Sequence, residues 1–310
     1  MAKLRSDASM RPRRGRRRIV AERIWTRVES PGATVIEANR SDGWYRPVDG
    51  EAEPSVVKSA HRVLRIFEYF AEIQRPASMT EIARRLNYPP SSTSALLKSL
   101  LDLGYLDCDR KARTYVPTAR ISLVGGWVRN RAGGDLETIA QALHEAMRLT
   151  TFIASRNQLY SQYIRVIQGT TSVRFYLEPG GLRLLPASTP GRVLLSQIGD
   201  DDVQRLLLRI NAEGLSTPPL RFSDLKPALD AIRCQGFAYT RGIGTPGLST
   251  MAMPLTAAGQ GPALAIAVAG PSALVAAEAG TILRTMRDLI EAHAPGVLPP
   301  IDLDAPPRET

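Results

Sequence analysis

The sequence predicts an α+β protein in two parts: an N-terminal winged helix-turn-helix, then an α/β domain on an antiparallel sheet. Three observations predict it. Helical periodicity begins abruptly at Ser55, apolar strand-like runs alternate with helical ones beyond residue 134, and charge divides between the two parts. The net charge of +10 over 310 residues is carried by the front: residues 1–54 hold 12 Lys/Arg against 8 Asp/Glu, 55–130 hold 12 against 6, and 131–310 hold 16 against 16. A basic front and a neutral back point to a polyanion partner for the first and a separate task for the second.

Residues 1–54 lack a sustained period and carry six arginines between Arg11 and Arg18, so the expectation is a disordered basic tail. It is either a nonspecific DNA-binding arm or a solvated extension, unless the natural start lies downstream, for example at Met10. No apolar segment resembles a secretory signal, and the acidic residues argue against an organelle transit peptide.

From 55 to 117 each element has a local cause. Ala60, Val63, Leu64, Phe67 and Phe70 form one helical stripe, which Pro76 ends. Ser78 and Glu81 spell a capping box that opens a short helix through Leu86. Asn87 and the Pro89–Pro90 pair make a turn, and Pro90 suits the first position of a third helix, Ser91 to Leu103. Gly104 caps it, and two short strands, Tyr105–Asp107 and Thr114–Val116, flank the basic turn Asp109–Arg113. Helix, capped helix, turn, helix and basic hairpin is the winged helix-turn-helix order.

The third helix is expected to turn Thr93, Leu96, Leu97, Leu100 and Leu103 inward and Ser91, Ser92, Ser94, Ala95 and Lys98 outward. Small hydroxylated side chains permit close approach to double-stranded DNA, and hydroxyls can bond phosphates or base edges. The candidate DNA-binding set is Ser91, Ser92, Ser94 and Lys98, together with Thr93 for its hydroxyl despite its inward position, with Arg84, Arg85, Arg110, Lys111 and Arg113 as phosphate contacts.

In the back half, Thr151–Ala154, Tyr160–Ile167, Val173–Leu177, Phe237–Thr240, Met251–Leu255 and Leu264–Val268 read as strands. Asp135–Leu149, Pro190–Ile198, Phe222–Gln235 and Ser272–His293 read as helices, and 118–133 as a linker helix. The expected division is 1–54, 55–117, 118–133, 134–295 and a flexible C-terminal tail, 296–310.

Several signals suggest chemistry weakly. Gly242 to Gly247 fits G-x-G-x-x-G, but no helix opens there and no acid lies about 20 residues on, so a turn is expected rather than a dinucleotide site. His61, His144 and His293 fall on separate helices, Cys108 and Cys234 have no partner spacing, and a buried thiol is expected at Cys234. Asp200–Asp202 reads as the acidic first turn of a helix. No catalytic constellation, metal or cofactor is expected, no apolar run of about 18 residues could cross a bilayer, and a cytoplasmic location is expected.

The segments from Ser55 through "MTEIARRLNYPPSSTSALLKSLLDLGYL", then "STPGRVLLSQI" (188–198), "GFAYTRGIGTPGLSTMAMPL" (236–255) and "ALAIAVAGP" (263–271), resemble the IclR family of transcription regulators. The resemblance implies a homodimeric or homotetrameric, non-enzymatic DNA-binding regulator. It further implies a GAF-like effector domain for a small, often acidic or aromatic metabolite. Ala187, Ser188, Gly191, Thr240, Gly247, Ser249 and Thr250 are the ligand-binding candidates so implied. An alternative is a C-terminal domain that mainly oligomerises and has lost sensing. The chain departs from the family pattern at Ala95, where an arginine is common, and around Gly242–Gly247 and Thr250, where an acid and then a cysteine often stand.

Overall fold

In the computed structural model the described residues are 57–131, 136–171, 173–243, 245–256, 262–293, 295–298 and 308–310, with the backbone of three short strands before them. Those strands are β1 (Arg27–Ser30), β2 (Ala33–Glu37) and β3 (Trp44–Tyr45). They fall inside the stretch read as a disordered tail, and Val28, Thr34, Val35 and Ile36 are β-branched residues that favour strands. The rest of 1–56 lies outside the described residues.

The winged domain comprises α1 (Lys58–Ile73), β4 (Ala77–Ser78), α2 (Met79–Leu86), α3 (Pro90–Asp102), β5 (Leu106–Asp109) and β6 (Thr114–Pro117). Its core gathers Ile66, Tyr69, Phe70, Ile82, Leu97, Leu100 and Leu106. The buried stripe of α1 is rotated from the expected one: Ala60 and Leu64 are exposed, and Ile66 and Tyr69 take the core. Leu103, expected inside, is also exposed, because α3 ends at Asp102 and the chain turns there.

The capping box forms by half. Ser78 Oγ accepts from the Glu81 amide at 3.2 Å. The Glu81 carboxylate instead takes Arg75 at 2.5 Å and the Tyr69 hydroxyl at 2.9 Å, tying α2 to the end of α1. These donors hold the Glu81 carboxyl below its usual range.

The chain continues through α4 (Arg120–Arg131), α5 (Leu136–Met147), β7 (Thr150–Asn157), β8 (Tyr160–Ile167), β9 (Val173–Tyr176), β10 (Leu182–Leu184) and a 3₁₀ turn, Leu185–Ala187. Then come α6 (Thr189–Ser196), α7 (Asp200–Ala212), α8 (Phe222–Gln235), β11 (Ala238–Arg241), β12 (Leu248–Pro254), β13 (Leu264–Pro271), α9 (Ser272–Ala277) and α10 (Ala279–His293). The single helix expected from Ser272 is two helices that meet at Glu278, and the short β10 escaped the sequence reading.

The main sheet runs β11-β12-β13-β7-β8-β10-β3, every neighbouring pair antiparallel. It is covered on both faces, and period-two alternation sorts the side chains. Along β13, Ala265, Ala267 and Ala269 face α6, α7 and α8, whereas Leu264, Ile266 and Val268 face α5, α9 and α10. Alanines on the first face let α6 lie close to the sheet. Gly191 is forced by the same closeness: a Cβ there would stand 2.2 Å from the Leu185 carbonyl oxygen.

The segment read as a flexible tail is partly anchored. Val297 and Leu298 pack on the α10 side of the core. Thr310 exchanges backbone and hydroxyl hydrogen bonds with Tyr239 on edge strand β11, and its carbonyl accepts from Arg192 at 2.7 Å. An edge strand offers unpaired backbone groups, which is why a short segment can bind there.

Candidate DNA-binding face and effector cavity

On the winged domain, Ser91, Ser94, Ala95 and Lys98 are exposed along α3, as are Arg84 and Arg85 at the end of α2 and Arg110, Lys111 and Arg113 in the wing turn. Asp109 shapes that turn. Its carboxylate accepts from the Lys111 and Ala112 amides at 2.8 and 3.1 Å, so the acid is occupied by backbone and the basic side chains point outward from a fixed loop.

Thr93 has to be withdrawn from the set. It is fully buried, and its hydroxyl donates to the Pro89 carbonyl at 3.1 Å, so it fastens the start of α3 rather than meeting DNA. Ser92 is half-buried, and Arg62 of α1 donates to its Oγ at 2.8 Å. The Arg62 guanidinium also lies 5.1 Å from the centre of the Tyr88 ring. Sequence reasoning missed this pair, because the link spans two helices and leaves no local spacing.

In the second domain, a small cavity lies between the sheet and the start of α6, with about 20 Å³ reachable by the centre of a water molecule. Its apolar wall is Phe152, Leu177, Pro190, Ile243, Leu248 and Ala269; its polar wall is Tyr163, Arg183, Ser188, Thr189 and Thr250. Arg183 is buried at 3% exposure and hydrogen-bonds the Tyr163 hydroxyl, whose pKa burial pushes up and the nearby guanidinium pulls down. Ser188 caps α6 by accepting from the Gly191 amide at 3.1 Å.

Of the seven ligand-binding candidates, Ser188 and Thr250 line this cavity. Thr240 stands behind it, its hydroxyl 2.6 Å from that of Thr189. The other four do not line it. Ser249 is on the opposite sheet face from Thr250, as neighbours in a strand must be, and bonds Ser272 at 2.9 Å. Gly191 packs on the 3₁₀ turn, Ala187 ends that turn, and Gly247 is exposed at φ +78° with its carbonyl taken by the Ser272 amide. Arg183 and Tyr163 were missed because their role depends on pairing: β10 sets Arg183 opposite Ser161, two residues from Tyr163.

The G-x-G-x-x-G segment links β11 to β12 as a hairpin turn, with Gly242 at φ +68° and its amide on the Leu248 carbonyl at 2.7 Å; Gly244 lies outside the described residues. A strand follows rather than a helix. The acidic run opens α7 as expected, and Asp200 is held by Lys226 at 3.0 Å and Arg233 at 2.7 Å. Cys234, expected buried, is exposed: α8 buries Leu225, Leu229 and Ile232, and Cys234 falls two positions past that stripe. Among the described residues no acidic, His or Cys cluster could hold a metal, and no helix is long and apolar enough to cross a membrane.

Comparison with known proteins decides the family. The model of the IclR helix-turn-helix domain matches residues 59–110, and that of the bacterial transcriptional regulator IclR C-terminal domain matches 123–293. The chain belongs to the IclR family. Members of this family are DNA-binding transcription regulators, not enzymes. Among curated relatives, the HTH-type transcriptional regulator BhcR of Paracoccus denitrificans is 26% identical over 264 residues, covering 79% of this chain and 91% of that one. The acetate operon repressor of Salmonella typhimurium is 25% identical over 248 residues, covering 77% and 88%. Among solved structures, an IclR transcriptional regulator from Alicyclobacillus acidocaldarius superposes with a TM-score of 0.52 at 18% identity, covering 77% of this chain and 98% of that one. The fold is that of the family.

Proposed function

We propose that the exposed side of α3, with the end of α2 and the wing, binds a specific operator, and that a small metabolite in the α6 cavity governs that binding in the cytoplasm. The observation that carries the first half is the exposure of Ser91, Ser94, Lys98, Arg84, Arg85, Arg110, Lys111 and Arg113, all solvent-facing on the winged domain. α3 adds no acid before Asp102 to oppose a phosphate backbone.

For the effector, the buried Arg183–Tyr163 pair beside the Ser188 and Thr250 hydroxyls favours an anionic group such as a carboxylate, while Phe152, Leu177 and Leu248 favour an apolar body. The cavity has room for little more than a water, so binding of a metabolite requires its walls to move apart. A ligand shifts the protein only through its different affinity for the two arrangements.

Exposed apolar residues support a homo-oligomer. Leu64 on α1 and Leu123 and Val124 on α4 are 62%, 77% and 57% exposed, and a second copy is the partner that would cover them.

The test is thermal melting of the full chain and of Arg183→Gln against a panel of small carboxylates, with titration of DNA selected from random duplex. A carboxylate that raises the Tm of the unsubstituted chain only, and changes its DNA affinity, supports the reading. Equal response of both proteins refutes the cavity's role. Sequence-selective DNA binding insensitive to every compound favours a C-terminal domain that only oligomerises.

A further inference from the structure

We infer that Arg62 is a positioning residue for DNA reading: by donating to Ser92 Oγ it occupies one of the hydroxyl's two lone pairs and turns its hydrogen away from Arg62, so that Ser92 meets the duplex preferentially as a donor to an acceptor atom. This rests on the proposed DNA-binding face of α3.

A serine hydroxyl has one hydrogen and two lone pairs, so without a constraint it can approach either a donor or an acceptor. An arginine side chain only donates. The 2.8 Å bond from Arg62 Nη1 therefore consumes a lone pair and leaves the hydrogen to be placed elsewhere. The usual local acceptor for a hydroxyl early in a helix is a carbonyl three or four residues back. Here Pro89, three residues before Ser92, already accepts both the Thr93 amide at 3.0 Å and the Thr93 hydroxyl at 3.1 Å. Among the described residues Ser92 makes no hydrogen bond of its own as donor, so its hydrogen is available to the groove.

Arg62 is itself held in place. Its guanidinium lies on the Tyr88 ring, at the turn between α2 and α3, with the ring centre 5.1 Å away. Neighbouring Arg65 is neutralised by Glu68 at 2.8 Å, whereas Arg62 makes no ion pair among the described residues. The cation thus stays on the hydroxyl and the ring, joining α1 to the first turn of α3. The acceptor that Ser92 meets is either a base-edge atom, such as purine N7, guanine O6 or thymine O4, or a phosphate oxygen. With Ala95 contributing no polar group one turn along, the orientation of this hydroxyl carries more of the discrimination.

The experiment selects duplexes from a random library with the full chain, then measures the selected duplex against Ser92→Ala, Arg62→Lys, Arg62→Gln and the double variant Arg62→Gln/Ser92→Ala. Lysine still only donates, whereas glutamine can also accept and so releases the polarity. The expected result is about tenfold weaker binding for Ser92→Ala and Arg62→Gln, no further loss in the double variant, and near-normal binding for Arg62→Lys. Single substitutions that remove purine N7 (7-deazapurine), guanine O6 (2-aminopurine), thymine O4 (5-methyl-2-pyrimidinone) or a phosphate oxygen (methylphosphonate) then separate a base acceptor from a phosphate, since only removal of the atom that Ser92 meets erases the gap between the unsubstituted chain and Ser92→Ala. If Ser92→Ala binds normally, or if Arg62→Gln weakens binding equally with and without Ser92, the inference is wrong while the DNA-binding face stands. If the unsubstituted chain enriches no sequence, the reading of the face fails with it.

Discussion

The winged domain and the effector domain place polar groups in opposite ways. In the first, the functional side chains stand on the outside of a small core and need only be exposed and correctly ordered along the chain. In the second, Arg183, Tyr163 and Thr250 are buried between a sheet and a helix, and each depends on register with a neighbouring strand. A surface site tolerates packing error but depends on charge and salt. A buried site depends on close packing, so a change of one methyl group can remove it.

The largest expected break is therefore in the second domain. Gly191→Ala drives a Cβ into the Leu185 carbonyl region and should cost about 3 kcal/mol or more, visible as loss of the effector domain's melting transition. A normal melt would mean that α6 is not held as closely as described. Neutralising Arg110, Lys111 and Arg113 together should leave melting unchanged. It should weaken DNA binding and lower the slope of log affinity against log salt by about 0.9 for each phosphate that the wing no longer neutralises. An unaltered slope would remove the wing from the interface.

Smaller effects sharpen the contrast within the winged domain. Ser78→Ala removes the hydroxyl that caps α2 and should cost about 1 kcal/mol in denaturant titration. The Glu81 hydrogen bonds predict a pH effect. Because the folded carboxyl is held below its ordinary value, its contribution is complete above that value and is lost as pH falls through the lower, folded one. Glu81→Gln should flatten this acid limb of the stability curve; an unchanged acid limb would show that Arg75 and Tyr69 do not act through the charge.

The same contrast explains what the sequence made legible. The order of the winged domain could be read because each boundary has a local signal: Ser78 for a cap, Pro90 for a start, and Asp109 with its basic neighbours for a turn. Errors there were rotational, as with Leu64 and Ile66, where several apolar residues competed for one stripe. The helical phase of Thr93 was legible, since it was read as facing inward and is buried, but its hydroxyl also put it among the DNA contacts, because a hydroxyl that bonds its own helix looks the same in sequence as one that faces a ligand. In the effector domain, strand positions were legible from apolar runs, but the cavity was not. Whether Ser249 or Thr250 faces α6 is a matter of period-two phase, and the position of Arg183 follows from a three-residue strand with no sequence signature.

The central claim is that α3 presents its exposed side to DNA. The most direct test is an anisotropy titration of the full chain and of Lys98→Glu with the selected duplex and a scrambled one at about 0.15 M salt. The expected result is selective binding by the unsubstituted chain and at least about a tenfold loss in Lys98→Glu, with the same melting temperature, since Lys98 is exposed. Equal affinity of the two proteins for the selected duplex would contradict it.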